Sequence, residues 1–332
     1  MTKHDRYTSF VYWLTIFFML ITFTPQSHGQ STSFVKVDTW CIGRYLIDLP
    51  KGTKVEAEFM TKGSKVFTST GISMIQFRDT VAARRQTLKE TRHHNGGVML
   101  VDTDIITDDY ITLVSWASEA SKRMYKYETF QYMEEHQVLY LFSGLGTAGE
   151  NQRKSAAAIQ RSSRNELRYR APTEVPSECG FCINEGLILT SSPNREEYTA
   201  VMRLPQYPDV VLELESYVTN NPGDSSNQQK TPLSLKIGNY FQIKTLRNRK
   251  RDIGEAKGKE HLTRSRYKEN GKYHYQFEWK TQGIKGSINY PYMRFTLRTM
   301  DGSEENYFFS SDKDVLELWE SILNSLRLRT RA

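Results

Sequence analysis

The sequence lacks the motifs by which the common hydrolases and zinc enzymes are identified. It has no GxSxG nucleophile elbow and no HExxH pair, and the glycine- and serine-containing segments at 71–73 and 286–288 lack the second glycine. His93, His94 and His136 are the candidate metal ligands, but adjacent histidines on a helix point about 100° apart. We therefore predict solvated surface histidines, no metal, no cofactor and no catalytic residues.

The chain also lacks an apolar run of the roughly 20 residues that cross a bilayer. Its longest run, Phe10 to Phe23, follows the basic residues Lys3 and Arg6 and precedes small residues at Ser27 and Gly29. This order is typical of a secretory signal peptide, so we predict a signal at residues 1–29, cleavage after Gly29, a periplasmic location and no stable membrane anchor afterwards.

Cysteine is scarce, and the three cysteines of an exported chain allow one disulfide and one free thiol. Cys179 and Cys182 have CxxC spacing, but a strand-like segment follows them instead of the helix that a thioredoxin-type site requires. Cys41 and Cys182 each immediately precede a similar strand-like segment, so we favour a structural Cys41–Cys182 bridge. The pairings Cys41–Cys179 and Cys179–Cys182 stay open.

Gly144, Gly146 and Gly149 match the GxGxxG pattern of dinucleotide-binding folds. That fold needs a parallel strand ending in an acidic residue about 20 residues later, and here a Pro-containing linker follows instead. We therefore interpret the motif as a flexible turn before a helix.

The length of 332 residues, with 38% hydrophobic and 25% charged residues, indicates two globular domains. We predict an N-terminal domain at 30–170, a linker at 171–178 and a C-terminal domain at 179–332. The predicted class is α+β, with two similar tandem domains, each a mainly antiparallel sheet with helices packed on it.

Several elements are predicted individually from periodicity and from turn and capping signals. The predictions comprise strands at Tyr110 to Trp116 and Met124 to Met133, a helix at Thr80 to His94 capped by Asp79, a helix at Asn151 to Leu167, a hairpin pairing Leu262 to Lys268 with Lys272 to Lys280, and a final helix opened by Ser311 and Asp314.

A basic run is the candidate contact surface. Its members include Arg247, Arg249, Lys250 and Arg251. Such a run is usually a solvated loop, but arginine also engages carboxylates bidentately, so it is our candidate site for an acidic protein partner. The mature chain keeps a net charge of only +6, the +7 of the full chain less the net +1 of Lys3, Asp5 and Arg6. Nucleic acid is therefore not an expected partner.

The segments Cys41-Ile-Gly-Arg-Tyr-Leu-Ile-Asp-Leu-Pro50 and Gly180-Phe-Cys-Ile183, together with the signal sequence, resemble a known family. They are similar to the immunity proteins that protect bacteria against type VI secretion phospholipase effectors of the Tle4 type. The resemblance implies a periplasmic, non-enzymatic, two-domain protein that binds and inhibits a lipase, and it carries over no functional residues. The alternatives are a periplasmic enzyme with an unrecognised site and an envelope-associated binding or scaffold module.

Overall fold

The fold is that of a computed structural model, which describes residues 36–154, 164–189, 195–222, 240–267, 273–300, 309 and 311–329. The predicted signal peptide and the Asn270-Gly271 turn lie outside these residues.

Strands dominate the described chain. They are β1 (Val37–Ile42), β2 (Tyr45–Pro50), β3 (Lys54–Thr61), β4 (Ser64–Thr70), β5 (Leu100–Thr107), β6 (Tyr110–Trp116), β7 (Met124–Met133), β8 (Val138–Thr147), β9 (Leu167–Tyr169), β10 (Phe181–Ile183), β11 (Gly186–Ile188), β12 (Glu196–Leu204), β13 (Tyr207–Tyr217), β14 (Tyr240–Lys250), β15 (Gly258–Tyr267), β16 (Tyr273–Thr281), β17 (Tyr292–Thr299) and β18 (Arg327–Leu328). The helices α1 (Met74–Glu90) and α2 (Asp312–Ser325) accompany them, and the described residues 150–154 are also helical.

The strands of the described residues form three antiparallel sheets. The largest has twelve strands in the order β14-β15-β16-β17-β13-β12-β3-β4-β8-β7-β6-β5. A second sheet has the order β1-β2-β18 and a third the order β10-β11-β9. The prediction of mainly antiparallel sheet is confirmed. What the sequence does not predict is that β12 pairs with β3, which joins strands from both halves of the chain into one sheet.

The larger core lies on one face of this sheet and is filled by alternating apolar residues. Phe277 lies opposite Leu297, and Leu297 lies opposite Leu212. Directly opposite residues of neighbouring strands point to the same face of a sheet, so all three lie on one face. The α2 residue Trp319 contacts this face, stacking on Phe295 at 5.3 Å and meeting Phe277 edge-on at 5.7 Å. The predicted Ser311 cap is present, and its hydroxyl accepts a hydrogen bond from the Asp314 amide.

A second core cluster surrounds α1. Phe77, Val81 and Leu88 of the helix are buried with apolar residues of β6, β7 and β8. The helix begins earlier than predicted, because Ser73 and Gln76 form a capping box and Asp79 lies inside the helix. It ends at Glu90, before the two histidines.

The predicted helix from Asn151 to Leu167 is wrong at its C-terminal end. Residues 164–166 form a 3₁₀ turn, and Leu167 begins β9, which pairs with β11. The pairing of this short strand depends on residues about 20 positions further along the chain, which a local helical pattern does not reveal.

Candidate functional site

The two similar segments of the sequence meet in space. Gly43, in the turn between β1 and β2, donates its amide to the Cys182 carbonyl at 3.0 Å, and the Cys182 amide donates to the Gly43 carbonyl at 2.8 Å. The predicted Cys41–Cys182 disulfide is present beside this bridge, and Cys179 is an exposed free thiol. The β1–β2 hairpin is thereby joined to the β10–β11 hairpin.

Three buried arginines surround this junction and are bound by internal acceptors. Arg44 pairs with Glu196 at 2.7 and 2.8 Å. Arg170 donates to several backbone carbonyls, including those of Cys41 and Ile183, and its burial lowers its pKa to about 10. Arg329 donates to carbonyls at 176, 178 and 180. These hydrogen bonds assign the arginines to structure, since Arg44 pairs with a buried carboxylate, and Arg170 and Arg329 donate to backbone carbonyls that would otherwise be buried unpaired.

The glycine motif is not the predicted turn. Gly144 and Gly146 lie within β8, opposite Ser64 and Tyr125 respectively. A Cβ at Gly146 would lie 2.8 Å from the Tyr127 ring, so close strand packing accounts for this glycine. Tyr127 helps line an adjacent cavity of about 270 Å³, and burial raises its pKa.

The histidine prediction also needs correction. His93 and His94 follow α1 instead of lying on it, and their rings contact each other with a centroid distance of 4.2 Å. His93 is buried, stacks on Trp116 at 4.5 Å and has Nε2 2.8 Å from the Ser121 carbonyl. The prediction of solvated surface histidines is therefore wrong for His93, because the Trp116 ring covers it and keeps it from solvent.

The basic run is a strand, not a loop. Alternate residues Arg247, Arg249 and Arg251 project to the side of α2, where Glu260 of β15 and Glu320 of α2 bind them. Each of the three guanidinium groups lies within salt-bridge distance of both carboxylates. The sequence run therefore predicted arginines that bind carboxylates, but these carboxylates belong to the same chain.

Glu260 is the centre of this arginine cluster and is fully buried. Burial alone would raise its pKa, but hydrogen bonds from Trp319 Nε1, at 2.9 Å, and from Arg251 outweigh burial and hold the pKa below its ordinary value. The cluster fixes β14 and β15 to α2. These contacts hold Arg251 in the interior, whereas the side chain of Arg249 remains 49% exposed.

Lys250, the fourth candidate residue, differs from the arginines. Because successive strand residues point to opposite faces, it projects away from Glu260. It lies opposite Lys259 of β15, and Lys259 lies opposite Lys280 of β16. We call Lys250, Lys259 and Lys280 the lysine row.

The lysine row lines a cleft of about 900 Å³. Its walls come from the β14–β15 connection at 251–257 and the β16–β17 connection at 282–291. Tyr217 and Tyr292, which stack at 4.6 Å, lie in the same cleft. The cleft thus combines cations with aromatic surface, and aromatic side chains are among those that anchor protein interfaces.

The acidic residues of the cleft are already engaged. Asp252 accepts hydrogen bonds from Lys257 at 2.9 Å and from the Gly258 amide, and these lower its pKa. Glu255 accepts a hydrogen bond from the Tyr290 hydroxyl, which raises the pKa of that tyrosine. Asp252 and Glu255 therefore form their hydrogen bonds with groups outside the row, although the charge of Lys250 also helps to lower the pKa of Asp252.

No group of three or more His, Cys, Asp or Glu residues that could hold a metal occurs in the described part of the chain. Among the same residues, no helix has both the length and the apolar character needed to cross a membrane.

Comparison with known families assigns both halves of the chain. The N-terminal domain model of Tle cognate immunity protein 4 matches residues 38–170, and the C-terminal domain model matches residues 174–331. The chain belongs to this family. The resemblance drawn from the cysteine-led segments is thereby confirmed, and the family is one of immunity proteins, not of enzymes.

Solved structures of Tle immunity proteins share the fold. A chain of the crystal structure of a Tle4–Tli4 complex is 27% identical with a TM-score of 0.77, covering 89% of this chain and 98% of that one. The apo immunity protein TplEi of Pseudomonas aeruginosa is 26% identical with a TM-score of 0.76 and the same coverage. TplEi complexed with an "L" peptide is 25% identical with a TM-score of 0.71, covering 89% and 99%. No curated protein sequence matches significantly.

Of the lysine row, Lys250 and Lys259 belong to the basic run of the sequence, and Lys250 alone is among the candidate contact residues. Lys259 and Lys280 are distant in the chain, and only the register of the β15–β16 hairpin places them opposite each other. The predicted hairpin starts at Leu262, after Lys259, and a two-residue Asn270-Gly271 turn would place Lys259 opposite residue 282, so this register is not predicted.

Proposed function

We propose that this immunity-family protein binds a type VI secretion phospholipase effector of the Tle4 type and blocks its activity in the periplasm. The observation that carries the proposal is the match of both family domains along almost the whole described chain. The shared fold with a chain of a Tle4–Tli4 complex supports an effector as the partner.

Inhibition by occlusion fits the residues described. The buried charged groups at the junction and in the arginine cluster are bound by internal partners, which is how structural ion pairs are arranged. A protein inhibitor needs a preorganised surface, because ordering loops on binding costs affinity. The disulfide and the buried arginine contacts supply that rigidity.

The domain plan is part of the proposal. We infer two similar α+β units, at 30–170 and 179–332 with a linker at 171–178, each carrying one helix on its portion of the sheet. The buried faces of α1 and α2 support this, since each faces a separate apolar cluster. The signal peptide at 1–29 and the disulfide support export.

Co-expression tests the function and the location together. The full chain and a Tle4-type phospholipase from the same genome are both directed to the periplasm, and growth and lysate phospholipase activity are followed. The full chain should restore growth and co-elute with the effector, whereas a chain starting at residue 30 should remain in the cytoplasm and give no protection. Lysis in the presence of the exported chain would contradict the proposal.

A further inference from the structure

The lysine row lowers the stability of the sheet through charge repulsion, and no structural contact of the row explains it. Like charges directly opposite each other on neighbouring strands destabilise a sheet, and here two lysine pairs are consecutive and a third like-charge pair, Lys280 and Arg294, follows. Lys280 has a salt bridge to Glu278 at 2.9 Å, but Lys250 and Lys259 form none with any carboxylate of the described residues. Two cations of the row therefore lack a salt bridge to a described carboxylate, and the charge of Lys250 acts only at longer range on Asp252, whose pKa it helps to lower.

Protection of a sheet edge does not explain the row. Lysines on edge strands discourage edge-to-edge pairing, and β14 is an edge strand of the twelve-stranded sheet. Lys259, however, lies on β15 and Lys280 on β16, both of which are paired on two sides. The row thus continues inward to strands that have no exposed edge.

On β17 and β13, further across the same sheet, the arginines are paired with carboxylates. Lys280 lies opposite Arg294, and Arg294 lies opposite Glu215, with which it forms a salt bridge of 2.6 Å. Glu213 accepts hydrogen bonds from Arg294 and Arg298. The arginines on this face at β17 are therefore paired with carboxylates of β13, whereas Lys250 and Lys259 at the cleft have no salt bridge to a described carboxylate.

We propose that the lysine row binds an acidic segment of the effector, an inference that rests on the proposed function. Neighbouring strands lie about 4.8 Å apart, so the row from Lys250 to Lys280 spans about 10 Å. This length equals about three residues of extended chain, which would place alternate Asp or Glu side chains against the row. The stacked pair of Tyr217 and Tyr292 offers apolar contact beside it.

The test compares two double variants with equal changes in charge. K250E/K259E reverses the two lysines of the row that have no salt bridge, and K51E/K54E reverses two exposed lysines, one in the β2–β3 connection and one at the start of β3, that do not line the cleft. All four side chains are exposed, so both variants should fold, which circular dichroism and thermal melting check.

Association with the effector that the wild type inhibits is measured at low and at physiological salt. K250E/K259E should associate at least about 10-fold more slowly at low salt and show a weaker salt dependence, whereas K51E/K54E should stay within about 2-fold of wild type. Wild-type rates for K250E/K259E, or an equal loss for both variants, would overturn the proposal.

A ligand assay separates this inference from the proposed function. Wild type should bind an octaglutamate peptide, and K250E/K259E should bind it at least about 10-fold more weakly. If the wild type fails to inhibit the effector but retains lysine-dependent peptide binding, the proposed function fails while the acid-binding row stands. If the wild type binds phosphatidylglycerol vesicles but not octaglutamate, the proposal that the lysine row binds an acidic protein segment is wrong.

Discussion

Gly43 and Cys182 exchange both of their backbone hydrogen bonds, although they lie in different halves of the chain. The contact brings together the two cysteine-led segments that carry the family resemblance. Their similarity in sequence thus corresponds to a junction in space, one that ties the β1–β2 hairpin to the β10–β11 hairpin.

Gly43→Ala should destabilise the protein beyond the cost of its backbone conformation. The residue has a φ of +60°, and an added Cβ would lie 2.4 Å from the Tyr198 ring. Gly71→Ala is the matched control, since Gly71 has a φ of +68° and open space around it. Urea unfolding should give a loss of about 1 kcal/mol or more for both and a clearly larger loss for Gly43→Ala. Equal losses would remove the close approach as the reason for glycine at position 43.

Removing the disulfide should have a large effect because its sequence separation is 141 residues. The chain-entropy relation gives about 5 kcal/mol of stabilisation for a loop of this length. Cys41→Ser/Cys182→Ser should therefore unfold at much lower urea concentration, whereas Cys179→Ser, which changes an exposed free thiol, should match wild type. Unchanged stability of the double variant would contradict a structural role for the bridge.

Glu260→Gln should destabilise the protein by about 3–5 kcal/mol at pH 7, because it takes from buried Arg251 one of its two carboxylate partners. The pKa of Glu260 in the folded protein lies below its ordinary value of 4.5. The unfolded state therefore binds more protons, so this stabilisation is present above about pH 4.5 and is lost as pH falls through the folded pKa.

Urea unfolding of wild type and Glu260→Gln between pH 7 and pH 3 checks this direction. The difference in unfolding free energy should narrow as the pH falls. Asp108→Asn serves as the control, since its ion pair with Arg78 is at the surface and should be worth less than about 1 kcal/mol at any pH. A difference for Glu260→Gln that widens in acid would mean that the folded pKa of Glu260 is raised, not lowered.

Lys259→Glu should stabilise the isolated protein. The new carboxylate would lie opposite Lys250 on one side and Lys280 on the other, turning two repulsive pairs into attractive ones. A gain of roughly 0.2–1 kcal/mol is expected, with Lys259→Gln intermediate. Thermal melting at low salt measures it, and a lower melting temperature for Lys259→Glu than for wild type would show that the row carries no repulsive cost.

Elements whose formation depends on neighbouring residues in the chain could be predicted from the sequence. The β15–β16 hairpin and the start of α2 follow from strict alternation and from a capping serine, and both are present. The Cys41–Cys182 pairing was reached because two segments resemble each other, which is a non-local signal that happens to be readable along the chain.

The sequence did not predict partners that only tertiary structure brings together. Arg251 and Glu320 are 69 positions apart, so a basic run that is bound internally has the same sequence appearance as one that is free. His93 gives no local sign of the Trp116 ring that covers it. The cleft lies on the opposite face of β14 from the arginines, and of its lysine row Lys250 alone is among the contact residues predicted from the sequence.

Titration of the purified Tle4-type phospholipase with the purified mature protein tests the central claim most directly. If the protein acts by occluding the enzyme, hydrolysis should fall in proportion to added protein and cease near equimolar amounts. Phospholipase activity that is unchanged at a large molar excess of folded protein would contradict it.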